Sequence, residues 1–305
     1  ACAISQSTPT FINVTVFGNT SNYGGGFHTW TSTTVTFLQA VITGNSPDQI
    51  SLHSSNESNI VQVSYSNITG GQDDITNNDI GTVAWGDGNI DVDPMFVDTA
   101  NGNYHLLATS MLINAGHPDS TDSDGSRADM GAYPYLNSYS GPTWYITEGG
   151  NDTTATGASD DPFRSIQAGI NFSSDADSVT VAAGTYVENV DFRGRDIKVV
   201  GEDRETTIID GNQNGSGVVV ENGETSSALL SGFTITNGGD VNSGGGIRCK
   251  GNSNPTLNNL IVQNNTANNG GGISLESSNP TLSNVTISGN TASAGRGGGL
   301  RCISN

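Results

Sequence analysis

A motif of about 26 residues recurs along this chain of 305 residues, and it limits the possible folds more than any other feature. Residues 255–272 read PTLNNLIVQNNTANNGGG, residues 280–299 read PTLSNVTISGNTASAGRGGG, and residues 9–26 read PTFINVTVFGNTSNYGGG. Leu257 and Leu282 lie 25 apart, Leu230 lies 27 before Leu257, and Phe11, Phe37 and Val63 are spaced by 26. Each unit holds short apolar alternations, such as Leu260 with Val262 and Val285 with Ile287, the period of a β-strand. Gly and Asn fall between them, where a chain turns with positive φ. A unit this short cannot bury a face alone, so successive units must stack. The pattern predicts an all-β solenoid of coils spaced ~4.8 Å apart. Equivalent side chains then form ladders, with Asn19, Asn264 and Asn290 as structural turn residues.

Composition narrows the function classes. Ten Lys and Arg stand against 30 Asp and Glu, for a net charge of −20. No basic footprint for nucleic acid is present. No apolar run is long enough to span a membrane as a helix. Forty-one glycines, with abundant Asn, Ser and Thr, argue against a helical bundle. The three cysteines Cys2, Cys249 and Cys302 form no C-x-x-C motif, which disfavours a metal or redox cluster. An acidic, Lys-poor surface is expected of an extracellular or cell-surface protein. The start at Ala1 shows no charged-then-apolar leader, so any secretory signal is expected to have been removed.

GGGIRCKGNSNPTLNNLIVQNNTANNGGGI (244–273) resembles bacterial secreted right-handed parallel β-helix proteins of the pectate-lyase-like superfamily. TWYITEGGNDTTATGASDDPFRSIQAGINFSSDADSVTVAAGTYVENV (143–190) resembles the start of such a domain, where a short amphipathic helix covers the first coil. Phe163, Ile166 and Ile170 have the spacing of one helix face. Asp160 or Asp161 is expected to cap that helix, with Pro162 in its first turn. GNIDVDPMFVDTANGNYHLLATSMLINAGHPDSTDSDGSRADMGAYPY (88–135) resembles the segment that closes such β-helices. The resemblance implies a right-handed parallel β-helix with coils of 25–27 residues and a short capping helix. It implies little about function, because this fold hosts lyases, hydrolases, adhesins and structural proteins.

The order of the parts is permuted. Residues 1–135 read as the C-terminal half of a β-helix with its closing cap, 136–143 as a linker, and 144–305 as an opening cap with the N-terminal half of a second β-helix. Placing Asn305 before Ala1 gives GGGLRCISN followed by ACAISQSTPTFINVTVFGN, which continues the repeat with roughly nine extra residues. The expectation is a non-enzymatic extracellular structural protein that forms head-to-tail filaments. One half-helix is completed by its counterpart in the next subunit or tandem repeat. An excised fragment with frayed ends is the plain alternative. The expected assembly interface takes Ala1, Cys2, Pro9, Phe11, Val14 and Val16 from one end, and Leu282, Val285, Ile287, Leu300, Cys302 and Ile303 from the other. Cys2 and Cys302 would flank four residues at the seam and are a candidate disulfide pair, leaving Cys249 unpaired.

Enzymes of the resembled fold carry a basic residue beside Ca²⁺-binding carboxylates, or a cluster of aspartates set for inverting hydrolysis. Neither set is found, and no catalytic residue is assigned. Asp73-Asp74 and Asp160-Asp161 are adjacent pairs without companion motifs. Arg248 and Arg301 follow GGG at matching positions and are expected on one face. Calcium is the expected cofactor, held by Asp119, Asp122, Asp124 and Asp129 around Gly125, although no Glu occupies the twelfth position of an EF-hand loop. Asp87, Asp91 and Asp93 form a weaker acidic loop. The competing functions are a polysaccharide-binding or polysaccharide-cleaving module, with Tyr23, His28, Trp30 and Trp85 as candidate groove residues, and a surface adhesin.

Overall fold

The computed structural model describes residues 2–53, 59–77 and 81–304. The chain is nearly all β, a parallel β-solenoid of about 11 turns with one short α-helix. It divides into two compact units, Ala1–Ser138 and Tyr139–Asn305, and the division falls inside the stretch read as a linker.

In the second unit every coil after the first visits three faces in one order. The first face stacks Thr143–Ile146, Ser178–Val181, Lys198–Gly201, Leu229–Thr236, Thr256–Gln263 and Thr281–Ser288, all parallel. The second face stacks Gly184–Val187 and Thr207–Asp210, then the distal halves of the three eight-residue strands. The third face stacks Val190–Asp191, Val218–Val220, Ile247–Lys250, Ile273–Glu276 and Leu300–Ile303.

The first unit follows the same cycle. Cys2–Ile4, Phe27–Thr29, Ile50–Leu52 and Ile75–Asn77 make its third face. Thr10–Ile12, Thr34–Leu38, Ile60–Ser64 and Thr82–Trp85 make the first. Thr15–Phe17, Val41–Thr43 and Asn67–Ile68 make the second.

The register explains the spacing of the repeat. Phe11 pairs with Phe37 and Phe37 with Val63; Leu230 pairs with Leu257 and Leu257 with Leu282. The template Asn supplies the bend between the first and second faces. Asn13, Asn259 and Asn284 adopt φ of 52°, 52° and 54°, a left-handed conformation that Asn tolerates better than most residues. The GGG turn has a steric cause, since a Cβ on Gly271 would collide with the backbone of Thr291 in the next coil. Inward side chains fill each unit. Phe37, Ile42, Ile50, Val61 and Ile68 in the first unit are fully buried, as are Leu230, Phe233, Ile235, Leu257, Leu260, Val262 and Ile273 in the second.

The helix departs from expectation at its start. It spans Ile166–Phe172 with Ser165 as N-cap, so Phe163 and Pro162 precede it. Neither Asp160 nor Asp161 caps it; Asp161 accepts the Thr156 N–H at 2.9 Å instead. Capping comes from another coil, where the Glu188 carboxylate accepts the N–H groups of Ile166 at 2.8 Å and Gln167 at 2.9 Å. This partner lies 21 to 22 residues away in sequence, beyond the reach of a local capping rule. No helix among the described residues is long and apolar enough to cross a membrane.

Candidate functional site

Strands without an outer partner among the described residues occur at both ends of each unit, at Ile75–Asn77 and Thr82–Trp85 and at Thr143–Ile146 on the sides of the caps, and in one full coil at the opposite end of each. In the second unit this coil comprises Thr281–Ser288, Thr291–Ala292 and Leu300–Ile303. Leu282, Val285 and Ile287 point inward from it but are only half-buried. Their counterparts one coil inside, Leu257, Leu260 and Val262, are 0% exposed. Cys302 is exposed, and Leu300 and Ile303 are 42% and 37% exposed. In the first unit the edge comprises Cys2–Ile4, Thr10–Ile12 and Thr15–Phe17. Pro9, Phe11, Val14 and Val16 are half-buried there, and Cys2 is exposed. Ala1 lies outside the described residues. All three cysteines are free.

A directional asparagine ladder runs through both edges. The Asn19 N–H and Nδ2 donate to Asn45 Oδ1 at 2.9 and 3.0 Å. The Asn265 N–H and Nδ2 donate to Asn290 Oδ1 at 2.9 and 3.0 Å. Each rung also donates from Nδ2 to a carbonyl of the preceding coil, Asn45 to Val16 at 3.0 Å, Asn265 to Ile235 at 3.0 Å and Asn290 to Val262 at 2.8 Å. Asn19 and Asn290 therefore belong to the ladder as turn residues. Asn264 does not; it takes the left-handed turn (φ 55°) while its neighbour Asn265 makes the rung.

The four aspartates assigned to calcium are placed as follows. Asp129 is almost wholly buried and accepts the N–H groups of Asn114 and Tyr135, both at 2.7 Å. Asp122 accepts the Asp129 N–H at 2.8 Å, and Asp124 accepts those of Ser126 at 3.0 Å and Asn137 at 2.8 Å. The side chain of Asp119 projects into solvent. Among the described residues no group of three or more His, Cys, Asp or Glu side chains is placed to hold a metal ion. Burial pushes the Asp129 carboxyl up to about 7.

The two arginines sit in one column, as their positions after GGG predict. Arg248 and Arg301 both stand opposite Ser274 on the third face. Each is paired with a carboxylate, Arg248 with Glu221 at 2.6 Å and Arg301 with Glu276 at 3.2 Å. Aromatic rings collect on the first unit. Trp30 lies 4.9 Å from His53 and 5.5 Å from His28, and Tyr23 lies 6.1 Å from His28, measured between ring centroids. Trp85 is elsewhere, packed against the core.

A family model described as "Protein of unknown function (DUF1565)" matches residues 148–301, which is 154 of the 305 residues. The chain belongs to the DUF1565 family. DUF1565 proteins are parallel β-helices, in accord with the stacked faces described above. The match runs from the segment before the helix to the edge strand Leu300–Ile303. No curated protein and no solved structure matches the chain.

In this DUF1565 chain, sequence reading missed three kinds of residue. Glu188 lacks a local capping motif. His53 lies 25 residues from His28 and joins its cluster only through coil stacking. Asn265 was hidden by its neighbour, because in the doublet Asn264-Asn265 only the alignment to Asn290 tells the rung from the turn.

Proposed function

We propose that this protein is a non-enzymatic extracellular structural element that joins head to tail through its two edge coils. The next half-helix comes from a second copy, whether a separate subunit or a repeat in series. The observation that carries this reading is the loss of burial at Leu282, Val285 and Ile287 relative to Leu257, Leu260 and Val262. Apolar side chains at an unpaired strand edge favour association. The two edges share one template. PTLSNVTISGNT (280–291) and PTFINVTVFGNT (9–20) agree in left-handed turns at Asn284 and Asn13, and again at Gly289 and Gly18 (φ 64° and 67°). An edge that matches its counterpart but not itself makes a heterologous contact, which propagates. Kinship with the pectate-lyase-like superfamily, the permuted order and secretion belong to the same proposal. Electron microscopy and sedimentation velocity of the 305-residue chain at micromolar concentration test it. Fibres with a regular axial repeat are expected; monomers at every concentration would overturn it.

A second reading is favoured by the ring cluster. Tyr23 and Trp30 are 69% and 48% exposed and flank His28 and His53. Exposed rings offer stacking faces for sugars, and imidazoles offer hydrogen bonds. Arg127 is the one Lys or Arg in residues 1–138, so the ligand class is a neutral glycan rather than an acidic one. Retention on cellulose, abolished by Trp30→Ala with Tyr23→Ala, is the expected result. Equal retention of the double variant would remove this reading.

A further inference from the structure

We infer that His28 and His53 form a binding site for one divalent transition-metal ion, copper(II) foremost, shared between two adjacent coils of the first unit. The inference rests neither on head-to-tail assembly nor on the glycan reading. The site sits on the third face, where Phe27 stands opposite Ile50, His28 opposite Ser51 and Thr29 opposite Leu52. Side chains alternate across a strand. Phe27, Thr29, Ile50 and Leu52 are at most 3% exposed and point into the coil. His28 and Trp30 therefore face outward on one coil, and His53 faces outward on the next. Ala3 pairs with His28 from the other side, so His28 lies within the sheet and not at its edge.

The two imidazoles lie 5.9 Å apart between ring centroids, with their planes inclined at 29°. Rings that share an ion through metal–nitrogen bonds of ~2.1 Å have centroids up to ~6.4 Å apart, once the half-width of each ring is added. The observed separation falls within that limit. The torsion that turns an imidazole about its Cβ–Cγ bond is soft, so either ring can aim a nitrogen at the other at little cost. The backbone beneath them is fixed. The His53 N–H donates to Thr29 O at 3.0 Å, the Trp30 N–H to Ile4 O at 2.7 Å, and Asn59 Nδ2 to the His53 carbonyl at 3.0 Å. Asn59 is itself 0% exposed, and its Oδ1 accepts the Thr33 N–H at 3.1 Å. Ligands held on a rigid scaffold lose little freedom when an ion binds.

The chemistry of the pair suits a metal. His28 Nδ1 is buried and makes no hydrogen bond among the described residues. A buried ring nitrogen without a partner costs free energy that a metal bond would recover. Burial first, and then the neighbouring His53, hold the His28 imidazole below its ordinary range. The ring is therefore neutral at pH 7 and offers a lone pair, the form in which imidazole binds metals. Arg127 is the one Lys or Arg in residues 1–138, so the field over this unit favours a cation. The other two histidines are placed differently. His105 Nδ1 is hydrogen-bonded to Asn103 at 2.9 Å, and His117 Nδ1 accepts the Asp119 N–H at 3.2 Å. Each lies against a tyrosine rather than a second imidazole.

The ligand set selects the ion. Calcium and magnesium take oxygen ligands, and a structural zinc site closes with four protein ligands. Copper(II) and nickel(II) accept tetragonal sets of nitrogen and oxygen, and copper binds a given nitrogen site more tightly than its first-row neighbours. No group of three or more His, Cys, Asp or Glu forms among the described residues, so an ion on this pair keeps positions open for water or an outside ligand. Trp30 stands 4.9 Å from His53 and 5.5 Å from His28, close enough to report an ion held between them.

Titration of copper(II) chloride into the full chain tests the site, with Cys2→Ser and Cys302→Ser removing the exposed thiols. The expected result is one ion per chain, quenched Trp30 emission, and an electron paramagnetic resonance spectrum with coupling to two ring nitrogens. That spectrum is read with both histidines intact, so it stands whatever a variant does to folding. His28→Ala and His53→Ala should each weaken binding at least ~10-fold, since loss of even an outer partner of a metal ligand costs that much. Trp30→Phe should remove the quenching and keep the affinity. Lowering the pH from about 7 to about 5 should weaken binding, as protons compete for the imidazoles. Equal affinity in the two histidine variants and the parent would place the ion elsewhere and overturn the site. Coupling to fewer than two nitrogens, or a spectrum identical to that of free copper, would overturn it independently of any variant.

Discussion

Asp129 and Glu188 are carboxylates that each answer two backbone N–H groups. Burial pushes both up to about 7, against the lowering effect of those hydrogen bonds. Between the ordinary carboxylate range and pH 7 the folded chain therefore binds more protons than the unfolded chain, and stability falls as pH rises through that window. The thermal midpoint should be higher at pH 5 than at pH 8, with Asp129 contributing on the order of 3 kcal/mol to the difference. Asp129→Asn should flatten that profile in calorimetric scans, and an unchanged slope would mean that the group is already ionised in the folded state. Thiol chemistry is also set residue by residue. Burial pushes the Cys249 thiol up to about 12, whereas Cys2 and Cys302 are exposed. Iodoacetamide on the native protein should label Cys2 and Cys302 and spare Cys249, as read by peptide mass spectrometry.

At the scale of elements, the asparagine ladder ties coil to coil where side-chain hydrophobicity cannot. Asn265 accepts the Gly238 N–H at 2.8 Å and bridges to Ile235 and Asn290. Asn265→Ala leaves these groups unpaired and should cost about 1–3 kcal/mol in denaturant unfolding. Asn290→Ala, at the edge, should cost less in the dilute monomer. The repeat motif made these coils legible, because period-two alternation and a fixed spacing survive translation into register almost unchanged. The capping helix was legible only as an element. Its apolar face was visible at Ile166 and Ile170, but its start was not, since the carboxylate that caps it belongs to a later coil. The acidic loop was legible as a cluster and not as a geometry. Asp122, Asp124 and Asp129 spend acceptor capacity on backbone N–H groups of the segment 114–137. If calcium joins Asp119, Asp122, Asp124 and Asp129, EDTA should lower the melting temperature and added calcium restore it; an unchanged melting temperature would remove the cation.

For the whole molecule, a net charge of −20 on 305 residues opposes any association of copies. The edges gain apolar burial and strand pairing, while the charges repel over a distance set by salt. Raising ionic strength from about 0.01 M to about 0.15 M shortens that distance from ~30 to ~8 Å. Assembly measured by light scattering should rise over this interval. An assembly that weakens with salt would point to ion pairs at the joint instead of apolar burial.

The sequence by itself determined the coil, its strand faces and its turn residues, because each repeats a local pattern whose partner lies one period away. It also determined that the two edges share a template. Only the tertiary structure decided which Asn of a doublet makes the rung, which carboxylate caps the helix, and which rings meet at Tyr23, His28, Trp30 and His53. Those outcomes depend on which faces succeed one another around a coil and on what burial does to individual groups, and neither is written in the spacing of residues along the chain.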